Sequence, residues 1–154
     1  MLRWVVLIQV PQFNRLMLSH LSVSHFVLVD ELEIDFADGM SVVTGETGAG
    51  KSIILNALSM ALGDRADQSL IAPQRERAEI HAVFDINPDS AAYLWLSERE
   101  LEHEVAILRR VINRDGRSRA FINGSPSTAS DMKELGELLM DIHSQHEHQS
   151  LAHK

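Results

Sequence analysis

With 154 residues, 45% of them hydrophobic and 23% charged, the chain has the length and composition of one globular domain and not of a disordered segment. A formal net charge of −8 argues against a broad basic surface of the kind that grips DNA, though it leaves room for a local basic patch. The absence of cysteine excludes a disulfide framework and cysteine-ligated metal, and it suits a reducing compartment.

Residues 1–16 differ in character from the rest of the chain. Their apolar run, Trp4 to Ile8, is broken by Gln9 and Pro11 and is far too short to span a bilayer. Arg3 stands ahead of it as in a signal peptide, but no small-x-small cleavage pattern succeeds it. The stretch 18–36 predicts two strands joined by a short acidic turn. Leu18, Leu21 and Val23 belong to the first, and Leu32, Ile34 and Phe36 alternate with acids in the second. Asp30, Glu31, Glu33 and Asp35 read as a solvated strand face. Asp38-Gly39 makes a turn, and Met40 to Thr44 is a short strand of buried type.

A helix follows Lys51, with Ile53, Ile54, Ala57, Leu58, Ala61 and Leu62 at helical spacing and Gly63 as its stop. Glu79 to Ile86 alternates as a strand that Asn87-Pro88 ends. Residues 89–104 predict a short helix, in which Tyr93 and Trp95 are packing groups. Val105 to Asn113 and Ser118 to Asn123 form a hairpin around Asp115-Gly116, and Asn123-Gly124 is a second tight turn. Thr128 with Asp131 makes a capping box for a helix to about Leu138. Leu139 to Ile142 reads as a strand before the polar loop HSQHEHQ.

The chemistry concentrates at Gly45-Glu46-Thr47-Gly48-Ala49-Gly50-Lys51-Ser52, which matches G-x-x-x-x-G-K-[ST] without mismatch. The glycines let the backbone approach phosphate oxygens closely, and the loop amides form an anion nest. The first turn of the following helix adds unpaired N–H groups and the positive end of its dipole. Lys51 supplies a point charge for the β- and γ-phosphates, and the Ser52 hydroxyl can coordinate Mg²⁺. A glycine-rich turn could match the spacing by chance, but a strand before and a helix after are the context the motif requires.

Four stretches in order, MLSHLSVSHF from Met17, LEIDFADGMSVVTGETGAGKSIILNALSMALGDRAD, GRSRAFINGSPS and MDIHSQHEHQSL, resemble the beginning of the RecN family, the bacterial SMC-like ATPases of double-strand break repair. The resemblance runs from Met17 to about Leu151. It implies an α/β fold, a P-loop NTPase of ABC/SMC head type, with this chain as the N-terminal lobe built from a mixed sheet and an antiparallel β portion. It implies ATP and Mg²⁺ as cofactors. The implied partners are DNA, a C-terminal head lobe and a second head in a homodimer, with no membrane. The implied location is the cytoplasm, at the nucleoid when DNA is bound. Gln145 falls where the family's glutamine loop stands, with a catalytic role and a Mg²⁺ contact, and Gln149 is the other candidate. Arg65 is a candidate phosphate or DNA contact, with a plain surface role equally open.

Two departures accompany the resemblance. No signature motif, Walker B acids or switch histidine occurs in the 154 residues, so the fragment is expected to hydrolyse ATP very poorly. Residues 1–16 precede the family's usual start and read as an extension from an upstream start, leaving 17–154 as the head lobe, truncated before the coiled coil. A non-catalytic remnant or interaction module, or the lobe of another SMC- or RecF-like ATPase, is the alternative, and HSQHEHQ favours RecN over the latter. The remaining candidates have bland readings beside sharp ones. His143, His146, His148 and His153 could bind metal, but a polar loop near a nucleotide explains them. Arg109, Arg110, Arg114, Arg117 and Arg119 are the one basic concentration, either a set of DNA-phosphate contacts or a solvated hairpin face, with Arg117 and Arg119 on one strand face.

Overall fold

Period-two alternation of apolar residues recurs in four stretches, and each forms a strand that buries one face. The computed structural model describes residues 8–9, 18–36, 40–41 and 49–139. In chain order the elements are β1 (Ile8–Gln9), β2 (Leu18–Phe26), β3 (Val29–Asp35), β4 (Met40–Ser41), α1 (Ala49–Ala61), a 3-10 turn (Gln68–Leu70) and β5 (Arg77–Asp85). They continue with α2 (Ala91–Glu98), β6 (Val105–Asn113), β7 (Ser118–Ile122), β8 (Ser125–Ser127) and α3 (Ala129–Leu139). Six strands make one sheet in the order β3-β2-β5-β6-β7-β8, and β1 pairs separately with β4. Every ladder among the described residues is antiparallel.

The register aligns the buried residues in rows across the strands. One row runs Ile34, Leu21, Ala82, Leu108, Ile122, and the next runs Leu32, Val23, Ile80, Arg110, Ala120. All ten are buried. The opposite face carries Glu33, Ser22, His81, Arg109 and Phe121 in one such row, none of them buried. A one-residue slip of any central strand would exchange these faces, so the apolar pattern itself holds the register.

Helix α1 lies on the inner face against β2, β5 and β6. Its stripe of Ile53, Ile54, Ala57, Leu58 and Ala61 is buried, as is Leu62 just beyond its end, the six positions that the helical spacing predicts. Each buried Ile or Leu contributes about 1.5–3 kcal/mol relative to exposure. The helix ends as the glycine predicts. Gly63 takes φ +101°, its N–H donates to the Met60 carbonyl at 3.1 Å, and the Asp64 N–H donates to the Ser59 carbonyl at 3.1 Å. This pair of bonds is the Schellman arrangement.

Three expectations are corrected by the structure. The turn between β2 and β3 is Val27–Leu28 and is apolar, because Phe26 pairs with Val29. The acids Asp30 and Glu31 lie inside β3, exposed. Val27, with φ 54°, is held by its N–H donating to the Leu70 carbonyl at 2.6 Å. Helix α2 stops at Glu98, short of residue 104. Glu100 takes φ 58° without being glycine, and the Glu100 and Leu101 N–H groups return to the Ser97 and Leu96 carbonyls at 3.0 Å. Leu139 ends α3 as helix and does not begin a strand. Residues 140–142 lie outside the described residues, as do 42–44 of the strand predicted over Met40 to Thr44. Elsewhere the expected elements are present. Ser90 caps α2 by accepting from the Tyr93 N–H at 3.2 Å, and Thr128 Oγ1 accepts from the Asp131 N–H at 3.0 Å.

Helix α3 packs through glycine against the chain at Leu62 and Gly63, just beyond the end of α1. A Cβ on Gly136 would stand 2.5 Å from the Leu62 carbonyl oxygen. Glycine to alanine inside a helix ordinarily stabilises by roughly 1 kcal/mol. Here Gly136→Ala is expected to reverse that sign and destabilise by about 1–3 kcal/mol, read as a lower urea midpoint with an unchanged slope.

Candidate nucleotide site

The glycine loop meets the fold at the start of α1. The backbone of Ala49, Gly50 and Lys51 is already helical, and Ser52 follows them, exposed, in the first turn. That turn contains no acid, so nothing in it opposes an anion at the helix's positive end. The loop residues Gly45, Glu46, Thr47 and Gly48 lie outside the described residues. So do Gln145, Gln149 and His143, His146, His148 and His153. Arg65 stands two residues beyond Gly63 and is exposed.

The far end of α1 is held by Arg110. Its guanidinium donates from Nη1 to the Met60 and Asp64 carbonyl oxygens, each at 2.9 Å, and from Nη2 to Ser118 Oγ at 3.2 Å. The residue is 2% exposed, and its Nε–H is buried with no partner among the described residues. Burial draws the guanidinium below its usual range, and the nearby Asp64 charge opposes the shift. Arginine remains protonated under such a shift. This cation sits on the carbonyl end of the helix, where the dipole favours positive charge. Arg110 is therefore neither a DNA-phosphate contact nor part of a solvated face.

The other arginines divide in the same way. Arg114 is exposed but folds back onto backbone, donating from Nε to the Arg75 carbonyl at 2.7 Å and from Nη2 to the Ala72 carbonyl at 2.9 Å. Arg109, on the outer face, donates from Nε to Glu79 Oε1 and lies 4.9 Å over the Phe121 ring. Arg117 is exposed in the turn before β7 and not on the strand, so it does not share a strand face with Arg119. Arg119 is exposed on β7. Trp95 is buried, with Arg99 at 3.6 Å over its ring, and Tyr93 meets His103 edge-on at 4.4 Å. Both are packing groups, as expected.

The signal for Arg110 is present in the sequence. Ala106, Leu108, Arg110 and Ile112 occupy alternate positions of β6, so alternation places the arginine on the apolar face and Arg109 on the other. Asn123 gives no such signal. Its Oδ1 accepts from the Ile107 N–H at 2.6 Å, and its Nδ2 donates to the Glu102 and Val105 carbonyls at 2.8 and 3.0 Å. It pins the entry to β6 against the β7–β8 turn.

The chain matches the AAA domain family over residues 20–149 and belongs to that family. Its fold is that of an SMC-type ATPase head lobe. A solved structure described under ATP-driven dimerization and DNA-stimulated activation of SMC ATPases superposes with a TM-score of 0.64 at 22% identity, over 79% of this chain and 78% of that one. The SMC head domain from Thermotoga maritima gives 0.54 at 21% identity, over 76% and 41%. In sequence the chain is similar to RecN proteins. The DNA repair protein RecN of Vibrio cholerae is 47% identical over 136 residues, covering 88% of this chain and 24% of the relative. RecN of Haemophilus influenzae is 48% identical over 139 residues, covering 88% and 25%. The chain thus spans about a quarter of the length of these relatives.

On the outer face, Glu79 Oε1 accepts from both Arg109 Nε and His81 Nε2, the latter at 3.1 Å. Partial burial works to raise the Glu79 carboxyl. The hydrogen bonds and charges of Arg109 and His81 outweigh it and hold the pKa below the ordinary glutamate value. A depressed folded-state pKa stabilises the fold above the unfolded pKa, and that contribution is lost as pH falls through the folded value. Glu79→Gln is expected to cost less than about 1 kcal/mol near neutrality, since Arg109 is partly exposed. The gap between mutant and parent in urea melts should close on acidification below the glutamate range.

Proposed function

We propose that this chain is the ATP-binding N-terminal part of a RecN-like ATPase that acts in recombinational repair of DNA double-strand breaks. The observation that carries this reading is the start of α1 at Ala49, which sets Gly50, Lys51 and Ser52 of the complete G-x-x-x-x-G-K-S motif in the first helical turn. The N–H groups of that turn have no partner within the helix. The likeness to SMC ATPases in fold and to RecN repair proteins in sequence supports the choice of ATP and of DNA repair.

In this reading the amides of Gly45, Glu46, Thr47, Gly48, Ala49 and Gly50 surround the triphosphate, and Lys51 places its ammonium at the β- and γ-oxygens. The exposed hydroxyl of Ser52 is a hard oxygen donor of the kind Mg²⁺ takes. Together with Gln145 it would hold the ion. When bound, Mg²⁺ supplies charge neutralisation between the β- and γ-phosphates. A general base for water, the signature motif and the second head would come from elsewhere in the complete protein, which would bind DNA in the cytoplasm at the nucleoid.

Equilibrium binding of Mg·ATP to the 154-residue chain tests this. Lys51→Ala removes a charge-assisted contact and should weaken binding by roughly tenfold or more, with hydrolysis very slow in both proteins. A well-folded parent chain with no affinity for Mg·ATP would overturn the reading.

A further inference from the structure

We propose that Arg110 is a positioning residue for the nucleotide site, acting through α1 to set where the phosphate-binding turn stands over the sheet. The proposal rests on the nucleotide reading above.

A buried cation among Leu32, Val23, Ile80 and Ala120 is a costly choice, since an apolar residue of similar volume in such a row is commonly neutral or stabilising. Nor does Arg110 rescue an orphaned carbonyl at Met60. That oxygen already accepts from the Gly63 N–H at 3.1 Å, and Arg110 takes its second lone pair. The bond adds direction where satisfaction is already in place. One planar guanidinium joins the last turn of α1, the Asp64 carbonyl just beyond it, and Ser118 on β7, while its own backbone belongs to β6.

Among the described residues, the rest of the contact between α1 and the sheet is apolar. Apolar packing sets the distance of a helix from a sheet but is non-directional, so it resists sliding and tilting weakly. The fork of Arg110 is directional, and it lies at the end of α1 opposite the glycine loop. The helix is about 20 Å long, so a tilt of about 5° about the held end moves the first turn by about 1.7 Å. Displacements of that order are enough to spoil the alignment of charged groups at a reacting centre. The same fork makes the β6–β7 hairpin mechanically continuous with the phosphate-binding turn.

The test uses Arg110→Lys, which keeps the charge and loses the fork, and Ser118→Ala, which removes one contact at an exposed position and leaves the core intact. Mg·ATP affinity, thermal midpoint, and amide hydrogen exchange over residues 105–122 are measured for each. Arg110→Lys should weaken Mg·ATP binding by roughly tenfold and Ser118→Ala by roughly threefold, well below the melting temperature. Mg·ATP should slow exchange in the hairpin of the parent chain and leave that of Arg110→Lys unchanged. Unaltered affinity in Ser118→Ala and in any folded Arg110→Lys, with only a lowered midpoint, would make Arg110 a stability residue and overturn the proposal. A folded parent that binds no Mg·ATP sinks the nucleotide reading and this proposal together. A parent that binds, with variants that match it, sinks this proposal alone.

Discussion

The helix whose N-terminal end carries the G-x-x-x-x-G-K-S motif is held in this fold from its other end. In α1 Ser52 of the N-terminal turn is exposed, while among the described residues the directional contacts gather at the C-terminal end, from Leu58 to Asp64. The Schellman bonds close the last turn, and Arg110 grips its carbonyls. Residue Gly63 lets the chain leave against the backbone of Lys133, where a Cβ would stand 2.4 Å away. Without this helix the inner face of the sheet, with Ile80, Phe84, Leu108 and Ile112 fully buried, would meet water. The core and the site therefore depend on one element and on how its C-terminal end is fixed.

The sheet reconciles an acidic chain with a dry interior by dividing its faces. Small residues, Ala78 and Ala82, lie on the central strand in contact with α1, and larger ones flank them. The outer face carries the charge. His20 Nδ1 and Asp35 Oδ1 meet at 2.6 Å, and Arg109 and His81 share Glu79. The edges are also guarded. Exposed Glu31, Glu33 and Asp35 line β3, and β8 is three residues long with a central Pro126, features that discourage pairing with another chain.

Much of this was legible without coordinates. Alternation located β3 and β5, the Asp115-Gly116 turn located the β6–β7 hairpin, and the apolar spacing of α1 named its buried stripe. Turn chemistry placed Asn123-Gly124, where both residues take positive φ, and the Thr128 cap. Two of the misses share a cause. Val27 and Glu100 adopt left-handed backbone conformations with no glycine to announce them, and Val27 is held there by a hydrogen bond to Leu70, distant in sequence. Grouping five arginines by composition also hid a division between two faces of one strand.

The sequence by itself determined the periodicities, the helix stop at Gly63 and the complete phosphate-loop motif, since each depends on residues within a few positions of one another. Only the tertiary structure decided which arginine would be a surface charge and which an internal clamp. Arg109 and Arg110 are adjacent and chemically identical. What separates them is the pleat, which turns one to solvent and the other toward a carbonyl 50 residues earlier in the chain. A partner at that distance exists only once the sheet has paired and α1 has settled upon it.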